Sequence, residues 1–382
     1  MKNLRRLGII IFAFVLFGTG LASQVQAKPV LEGVDGPFKT YHTNGKLKQS
    51  GCYKDDKPEG QLLTYYENGQ LQEERNFQDG LDHGPHRLYY SNGQLQEETY
   101  FENGRKNGLY RMFDEKGVLR QEKTFYQEKL EGSFKKYNAQ GKLESDISFS
   151  NGEKFGPYKI YNAKGDLQEE RNFRGEKLDG PSRLYYENGK LQETTTFRDG
   201  KKNGAYKAYY ANGQLEIEGT FRDGKEEGAY RVYSEDGRLE SEANFINGKK
   251  NGPYRIYNLN GSVQDERFFE NDKLEGPLKV YYANGQLQQE GFYQNDKQHG
   301  EFKWYYDNGA LREEKTFKYG KEEGDCNRYD DRGRLESKIT FSNGKAQGPF
   351  LTYYNNGQVK QETNSKDGEL DGPYKIYFES GD

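Results

Sequence analysis

The chain is poor in the residues that most often build active sites and crosslinks. Its 382 residues include only two cysteines, two methionines, one tryptophan and four histidines. It also has no excess of charge of either sign, with 57 Lys and Arg against 61 Asp and Glu and a net charge of −4. Binding to a phosphate backbone requires a basic excess, so we do not expect a nucleic-acid partner.

Apolar residues are scarce as well. They make up 32% of the chain and the mean hydropathy is −1.17, values that by themselves would suggest disorder. However, 32 Tyr and 23 Phe recur at fixed intervals. Tyrosine combines a large apolar area with a polar tip, which suits a thin structure with water close to both sides.

Those intervals belong to a 24-residue repeat that continues without insertion or deletion from residue 36 to the C-terminus. One repeat has the form G-P-Y-K-I-Y-Y-x-N-G-Q-L-Q-E-E-x-x-F-x-x-G-K-x-x, and its first glycine occurs at Gly36, Gly60, Gly84 and every 24 residues up to Gly372. A period of this length is typical of an array in which each unit buries its apolar side against its neighbours.

The local pattern predicts a β-hairpin in each repeat. Asn-Gly between two apolar segments, as at Asn68-Gly69, is the strongest short hairpin signal and favours a two-residue type I′ turn. A two-residue loop also fixes the register. In the third hairpin it places Arg87 opposite Glu98, Tyr89 opposite Gln96 and Tyr90 opposite Leu95.

The same arithmetic tests the register in the other hairpins. It pairs opposite charges at Arg111 with Glu122, Lys135 with Asp146, Lys159 with Glu170, Lys207 with Glu218, Arg231 with Glu242, Arg255 with Glu266, Lys279 with Glu290 and Lys303 with Glu314. Where the basic column loses its charge, at Asn327, the expected partner is Lys338 rather than an acid. The fold expected from these patterns is all-β: an elongated single-layer array of about fifteen 24-residue β-hairpin repeats spanning residues 36–382, without helix or second domain.

Alternation along the strands then assigns side chains to two faces. We predict that one face carries Tyr158, Ile160, Leu167 and Phe173. The other carries the charged pairs and a nearly constant aromatic column. That column is the candidate binding face: Tyr65, Tyr89, Phe113, Tyr137, Tyr161, Tyr185, Tyr209, Tyr233, Tyr257, Tyr281 and Tyr305.

The first 27 residues do not follow the repeat. Lys2, Arg5 and Arg6 precede an apolar stretch at residues 7–17, and Val25-Gln26-Ala27 resembles a cleavage site. This pattern predicts a secretory signal peptide over residues 1–27, followed by a lead-in over residues 28–35. The expected location is therefore periplasmic, at the cell surface or secreted, and the alternative is an uncleaved anchor.

The two cysteines cannot pair within one straight array. Cys52 and Cys326 are more than eleven repeats apart, or roughly 100 Å at about 4.8 Å per strand. A disulfide needs Cα atoms within about 7 Å. Two free thiols are expected, and the alternative is a bridge between molecules.

The motif Y-Y-x-N-G-x-L-x-x-E followed by F-x-x-G-K-x-x-G resembles the MORN-repeat variant of bacterial YwqK-family proteins. It is present at residues 65–71 and 197–204, among many others, and the resemblance covers residues 36–382. It implies a module for protein or membrane interaction, and the family name implies an antitoxin of a toxin–antitoxin pair.

No arrangement of side chains predicts catalysis or a metal. His83 and His86 are three residues apart with no second cluster to complete a metal site. Adjacent carboxylates such as Glu97 and Glu98 point to opposite faces of a strand and cannot act as an acid–base pair across a cleft. We therefore expect neither an enzyme, nor a cofactor, nor a bound metal.

Two functions remain open from sequence. The first is an exported, non-enzymatic scaffold that binds a protein partner, with a toxin as one such partner. The second is a surface protein that binds glycan or cell wall through the tyrosine column, although cages for quaternary ammonium groups favour tryptophan and only Trp304 is present. Contact with a membrane surface also stays open.

Overall fold

A computed structural model describes residues 35–380, which form one antiparallel sheet of 35 strands and contain no helix. The predicted signal peptide and nearly all of the lead-in lie outside the described residues. Within residues 35–380 there is accordingly no helical segment long and apolar enough to cross a bilayer.

The strands pair with their neighbours along the chain, so the predicted array of hairpins is confirmed. The strands are β1 (Gly36–Tyr41), β2 (Leu47–Lys54), β3 (Lys57–Pro58), β4 (Gly60–Tyr65), β5 (Leu71–Gln78), β6 (Leu81–Asp82), β7 (Gly84–Tyr89), β8 (Leu95–Glu102), β9 (Arg105–Phe113), β10 (Leu119–Tyr126), β11 (Lys129–Tyr137), β12 (Leu143–Ser150), β13 (Glu153–Tyr161), β14 (Leu167–Arg174), β15 (Lys177–Leu178), β16 (Gly180–Tyr185), β17 (Leu191–Arg198), β18 (Lys201–Tyr209), β19 (Leu215–Arg222), β20 (Lys225–Glu226), β21 (Gly228–Tyr233), β22 (Leu239–Ile246), β23 (Lys249–Tyr257), β24 (Val263–Glu270), β25 (Lys273–Tyr281), β26 (Leu287–Gln294), β27 (Lys297–Gln298), β28 (Gly300–Tyr305), β29 (Leu311–Lys318), β30 (Lys321–Tyr329), β31 (Leu335–Ser342), β32 (Lys345–Tyr353), β33 (Val359–Lys366), β34 (Glu369–Leu370) and β35 (Lys375–Ile376).

The hairpin turns lie where Asn-Gly predicts them, but the predicted turn type is wrong. In the second hairpin the Tyr66 N–H donates to the Gln70 carbonyl at 2.9 Å, and the Gly69 N–H donates to the Tyr66 carbonyl at 2.8 Å. Gly69 has a φ of +92°, whereas Asn68 is not in the positive-φ region. This is a type I turn followed by a left-handed glycine, which makes a three-residue loop.

A β-bulge on the second strand compensates for the longer loop. In the third hairpin Tyr89 lies opposite Leu95 rather than Gln96, so the predicted pairs next to the turn are wrong. Gln96 is the extra residue of the bulge, which brings Leu88 opposite Glu97 and Arg87 opposite Glu98. The loop and the bulge each shift the register by one residue in opposite directions, and for this reason the predicted charge pairs are correct.

The type I′ turns are found in the connections between hairpins. Asn103 and Gly104, for example, have φ values of +49° and +78°. Five connections have an acid in place of this glycine: Asp56, Glu128, Glu176, Asp272 and Asp296. Glu128, Asp272 and Asp296, which have positive φ, each accept a hydrogen bond from a backbone N–H of the preceding repeat, at 2.7–2.8 Å. This contact offsets the strain that a non-glycine residue has at positive φ.

One face of the sheet carries an aromatic spine. Tyr158 and Phe173 lie 5.5 Å apart as an edge-to-face pair, and equivalent pairs recur along the array. The prediction for Leu167 is wrong, because the bulge places it opposite Tyr161. Residues directly opposite each other in an antiparallel pair share a face, so Leu167 belongs with Tyr161 on the other side.

The best-packed part of the spine surrounds Phe302, whose side chain is completely buried. Its ring lies 5.1 Å from that of Phe317 and 5.9 Å from that of Trp304. The ring covers Gly291 on the preceding strand so closely that a Cβ there would lie 2.3 Å from it. Burying such a ring stabilises the fold by about 1.5–3 kcal/mol. A single-layer sheet thus buries a core residue when a neighbouring glycine leaves room for its ring.

Candidate interaction face

The face opposite the aromatic spine carries a row of ion pairs in many hairpins, and we call this row the charge ladder. The ladder consists of two columns of side chains that run along the array: a basic column, which includes Arg87, and an acidic column, which includes Glu98. Arg87 contacts Glu98 of its own hairpin at 2.8 Å and Glu74 of the preceding hairpin at 3.2 Å. The Tyr89 hydroxyl donates to the same Glu74 at 3.5 Å. Arg87 therefore links two hairpins.

The ladder is most complete in the ninth and tenth hairpins. Glu242 accepts hydrogen bonds from Arg231 at 3.4 Å, from Arg255 at 3.0 Å and from the Tyr257 hydroxyl at 2.8 Å. Arg255 continues to Glu266 at 2.7 Å. Further rungs with contacts of 4 Å or less are Arg111–Glu122, Lys159–Glu170, Arg183–Glu170, Arg231–Glu218 and Lys375–Glu362.

The ladder shifts the titration of its members. Burial would raise the pKa of Glu242, but the hydrogen bonds from Tyr257, Arg255 and Arg231 outweigh it and lower this pKa. Burial, together with donation to Glu314, raises the pKa of Tyr329 to about 12. Near neutral pH Glu242 is therefore ionised and Tyr329 is neutral. Basic and acidic side chains alternate along the face, so their charges largely compensate one another.

The basic column is interrupted at Leu63, Asn327 and Leu351. Asn327 lies opposite Lys338, as predicted. The Asn327 amide donates to Glu314 at 3.0 Å, and Lys338 pairs with Asp325 at 2.7 Å. At this interruption Lys338 therefore pairs with an acid two residues before Asn327 rather than with the residue directly opposite.

All members of the predicted aromatic binding column are half-buried on this face. The hydroxyls of Tyr233, Tyr257 and Tyr305 donate to ladder glutamates at 2.7–3.0 Å. Their polar tips are thus occupied within the chain. That the column binds a ligand stays a prediction.

A second tyrosine column, which sequence reasoning did not separate from the first, connects successive turns. The Tyr66 hydroxyl donates to the Tyr89 carbonyl of the next hairpin at 2.7 Å. Asn68 in the same turn accepts from the Gln70 N–H through Oδ1 at 2.9 Å and donates through Nδ2 to the Ser91 carbonyl at 2.8 Å. One turn therefore makes two side-chain bonds to the next.

The turns that make these side-chain bonds to the next hairpin have a sequence signal. Asparagine precedes the turn glycine wherever Tyr or His stands two residues earlier, at Asn44, Asn68, Asn92, Asn188, Asn212, Asn284, Asn308 and Asn356. The pairing of these two positions could have indicated a joint role.

The histidines and cysteines do not assemble a site. The ring of His86 is hydrogen-bonded to Glu73 at 2.8 Å within the aromatic spine. Both thiols are free, and burial raises the pKa of Cys326 to about 11, which keeps the thiol protonated. Among residues 35–380 there is no group of three His, Cys, Asp or Glu side chains that could hold a metal ion.

Two solved structures match most of this chain at low identity. A crystal structure of TcdB2-TccC3 matches with 14% identity and a TM-score of 0.18, covering 87% of this chain and 20% of that chain. The Tc holotoxin pore of Photorhabdus luminescens matches with 12% identity and a TM-score of 0.17, covering 91% of this chain and 20% of that chain. The chain thus spans about a fifth of the length of these matches. None of the curated proteins matches the sequence.

The family comparison is more extensive. The model described as "MORN repeat variant" matches residues 34–55, 58–79, 82–103, 106–127, 130–151, 178–199, 202–223, 226–247, 274–295, 298–319 and 346–367, together more than half of the chain. Three internal hairpins fall outside these matches but have the same fold: β13–β14, β23–β24 and β30–β31. With the repeat, the hairpin and the sheet all in agreement, the chain belongs to the MORN repeat variant family.

Proposed function

We propose that this protein is an exported, non-enzymatic repeat scaffold that binds a protein partner along the charge ladder. The observation that supports this function is the recurrence of one surface unit, as around Arg231 and Arg255, at most 24-residue steps of the array. A surface of paired charges has little net field, so its affinity comes from many weak contacts added along the face. The tyrosine rings beside the ladder supply apolar area.

The experiment removes whole units. Deleting residues 204–227 keeps the register, because neighbouring repeats then meet through equivalent surfaces. We expect a folded protein that captures its partner from the parent cells less strongly, and a further loss when residues 204–251 are removed. Arg231→Glu should weaken capture, whereas Lys225→Glu, a matched change in a connecting turn, should not.

A discrete site would give the opposite result. If His86→Ala or Cys326→Ala abolished activity while circular dichroism showed an intact sheet, the scaffold function would be wrong. If the deletion of residues 204–227 left capture unchanged, the binding surface would lie elsewhere in the array.

The resemblance to YwqK-family proteins favours an antitoxin or immunity role within this function. Its test is co-expression with the product of a neighbouring toxin-like gene, where rescue of growth is expected. Export is a separate proposal that rests on residues 1–27, and N-terminal sequencing of the mature protein should begin at Lys28. A mature chain that begins at Met1 would favour an anchor.

A glycan- or cell-wall-binding function is the alternative, and the alignment of eleven aromatic residues in one column favours it. The engaged hydroxyls of Tyr233 and Tyr257 count against it, because sugar recognition would need them free. Sedimentation with insoluble cell wall tests this alternative. Retention that is lost in Tyr185→Ala with Tyr209→Ala would support it.

A further inference from the structure

One stretch of the charge-ladder face is apolar. Pro253, Phe268, Pro277 and Phe292 form what we call the proline–phenylalanine row, with Phe268 40% and Phe292 43% exposed. Both prolines are exposed as well. Phe268 and Phe292 occupy equivalent positions of neighbouring repeats, and the other hairpins have a different residue there. The equivalents are Cys52, Asn76, Tyr100, Thr124, Ser148, Asn172, Thr196, Thr220, Asn244, Thr316, Thr340 and Asn364.

The row crosses four adjacent strands, β23 to β26. Pro253 lies opposite Phe268, and Pro277 lies opposite Phe292. A Cβ on Gly276 would lie 3.0 Å from the Cβ of Phe268, so the two hairpins pack against each other here without a gap. With strands about 4.8 Å apart, the row is about 14 Å long.

A charged row runs beside it, two residues further along each strand. Arg255, Glu266, Lys279 and Glu290 lie opposite one another in that order, so their signs alternate across the same four strands. Residues two apart on a strand share a face. The patch is therefore an apolar row next to a row of alternating charge.

We propose that two copies of this chain associate face to face through this patch, about a two-fold axis that runs parallel to the strands between β24 and β25. The operation reverses the order of the strands. Pro253 then faces the second copy's Phe292, and Phe268 faces its Pro277, so each ring packs on a proline. Such an interface is isologous, because the same patch serves both copies.

The charged row fits the same axis. Arg255 faces the second copy's Glu290, and Glu266 faces its Lys279, so every cation meets an anion. This charge complementarity is the argument for a second copy of the chain as the occupant rather than an unrelated protein. Two right-twisted sheets diverge away from the axis, which confines the contact to the hairpins around the row.

The first test removes the rings. Sedimentation equilibrium of the full chain should show a monomer–dimer equilibrium, and Phe268→Thr with Phe292→Thr should raise the dimer dissociation constant at least about tenfold. Threonine is what several other hairpins have at this position. Leu259→Thr is the matched control, because Leu259 is 79% exposed in the same hairpin but lies outside the row. A parent chain that is monomeric at all concentrations, or a double variant that dimerises like the parent, would overturn the proposal.

The second test examines the axis. Arg255→Glu alone and Glu290→Arg alone each place like charges opposite each other in a homodimer, and each should dimerise weakly. A mixture of the two variants restores opposite charges at both contacts, so the mixed dimer should regain the parent's affinity. Arg87→Glu and Glu122→Arg occupy the equivalent positions seven repeats away and should leave self-association unchanged, alone or mixed. Failure of the mixture to dimerise would refute this axis even where the rings matter.

Discussion

Two kinds of hairpin turn occur along the side of the sheet where the paired strands are joined, and their backbone hydrogen bonds are alike. In the eighth hairpin the Tyr210 N–H donates to the Gln214 carbonyl at 2.8 Å, and the Gly213 N–H donates to the Tyr210 carbonyl at 2.8 Å. In the fifth hairpin Asn138 and Gly141 make the same two bonds with Lys142 and Asn138, at 2.8 and 3.0 Å. The conformation of the turn therefore does not depend on its side chains.

The side chains of the two turns have different hydrogen-bond partners. Tyr210 and Asn212 each donate to a backbone carbonyl of the next hairpin, at 2.8 Å. Asn138 instead accepts from the N–H groups of Gln140 and Lys142 in its own turn, at 3.0 and 2.9 Å. We call the first kind linking turns and the second self-capped turns.

The self-capped turns occur in the fourth, fifth, sixth, ninth and thirteenth hairpins, at Asp114, Asn138, Asn162, Ser234 and Asp330. We include the tenth hairpin, whose turn is also closed by its own side chains: Asn258 donates to the Ser262 hydroxyl, and the Ser262 N–H donates to Asn260. The three internal hairpins that the family model does not match all belong to this group. A repeat can therefore lose its link to the next turn, and with it some of the family pattern, and still keep the fold. We expect bonds at the linking turns to hold neighbouring hairpins more firmly.

The largest effect should come from the feature that both turns share. Gly213→Val and Gly141→Val each force a β-branched residue to a φ near +92° or +77°, respectively. Each substitution should lower the free energy of unfolding by about 2 kcal/mol. Chemical denaturation of both variants measures this cost. If Gly141→Val were tolerated while Gly213→Val were not, the two turns would differ in backbone conformation.

A smaller effect should separate the two kinds of turn. Tyr210→Phe removes the hydroxyl that satisfies the Tyr233 carbonyl. Loss of this bond should cost about 1 kcal/mol. The control is Tyr65→Phe, a change of the same chemistry in the first tyrosine column. Equal melting temperatures for the parent and Tyr210→Phe would mean that the link contributes nothing to stability.

Substitution of the turn asparagines should reveal a smaller difference in stability between the two kinds of turn. Asn212→Asp keeps the acceptor for the Gln214 N–H but replaces the donor with a carboxylate that faces the Glu235 carbonyl. We expect a loss of somewhat less than about 1 kcal/mol, because this edge is exposed. Asn138→Asp should be nearly neutral, since Asp330 caps an equivalent turn in the same way. Equal losses in thermal denaturation would contradict the distinction.

The sequence predicts the array, the place of every turn and the charge pairs, because all three follow from a fixed period. It does not reveal the turn type, because Asn-Gly serves both a two-residue type I′ turn and the last two positions of a three-residue loop. The bulge at Gln96 leaves no signal in the sequence, because the register shift that it causes and the register shift that the loop causes cancel each other. A correct pairing of Arg87 with Glu98 therefore followed from an incorrect turn.

The candidate face was predictable in position but not in its contacts. Alternation places Tyr89 and Arg87 on one face, yet it cannot show that the Tyr89 hydroxyl donates to a glutamate of the preceding hairpin. Alternation likewise places Phe268 on the face of Glu266, but it does not show that the Phe268 ring stays 40% exposed there.

Low pH should weaken self-capped turns that use aspartate. The hydrogen bond from the Arg334 N–H is the chief cause that lowers the pKa of Asp330 below its ordinary value of 3.8. A lowered pKa means that this cap stabilises the fold above pH 3.8 and is lost as the pH falls through the folded-state pKa. The difference in melting temperature between the parent and Asp330→Ala should therefore shrink in acid. The difference between the parent and Tyr210→Phe should not change there.

High pH should weaken the linking turns rather than the self-capped turns, and this is the smallest effect that we expect. Burial is the chief cause that raises the pKa of Tyr210 above its ordinary value of 10.0. Its link is fully present below pH 10 and is lost as the pH rises through the folded-state pKa, because the unfolded chain ionises first. The stability difference between the parent and Tyr210→Phe should therefore shrink above pH 10, while the effect of Asp330→Ala stays constant. Melting temperatures of the three proteins measured from pH 3 to pH 11 would show this crossing. Parallel curves across the whole range would mean that the side chains of the two turns do not carry the difference assigned to them.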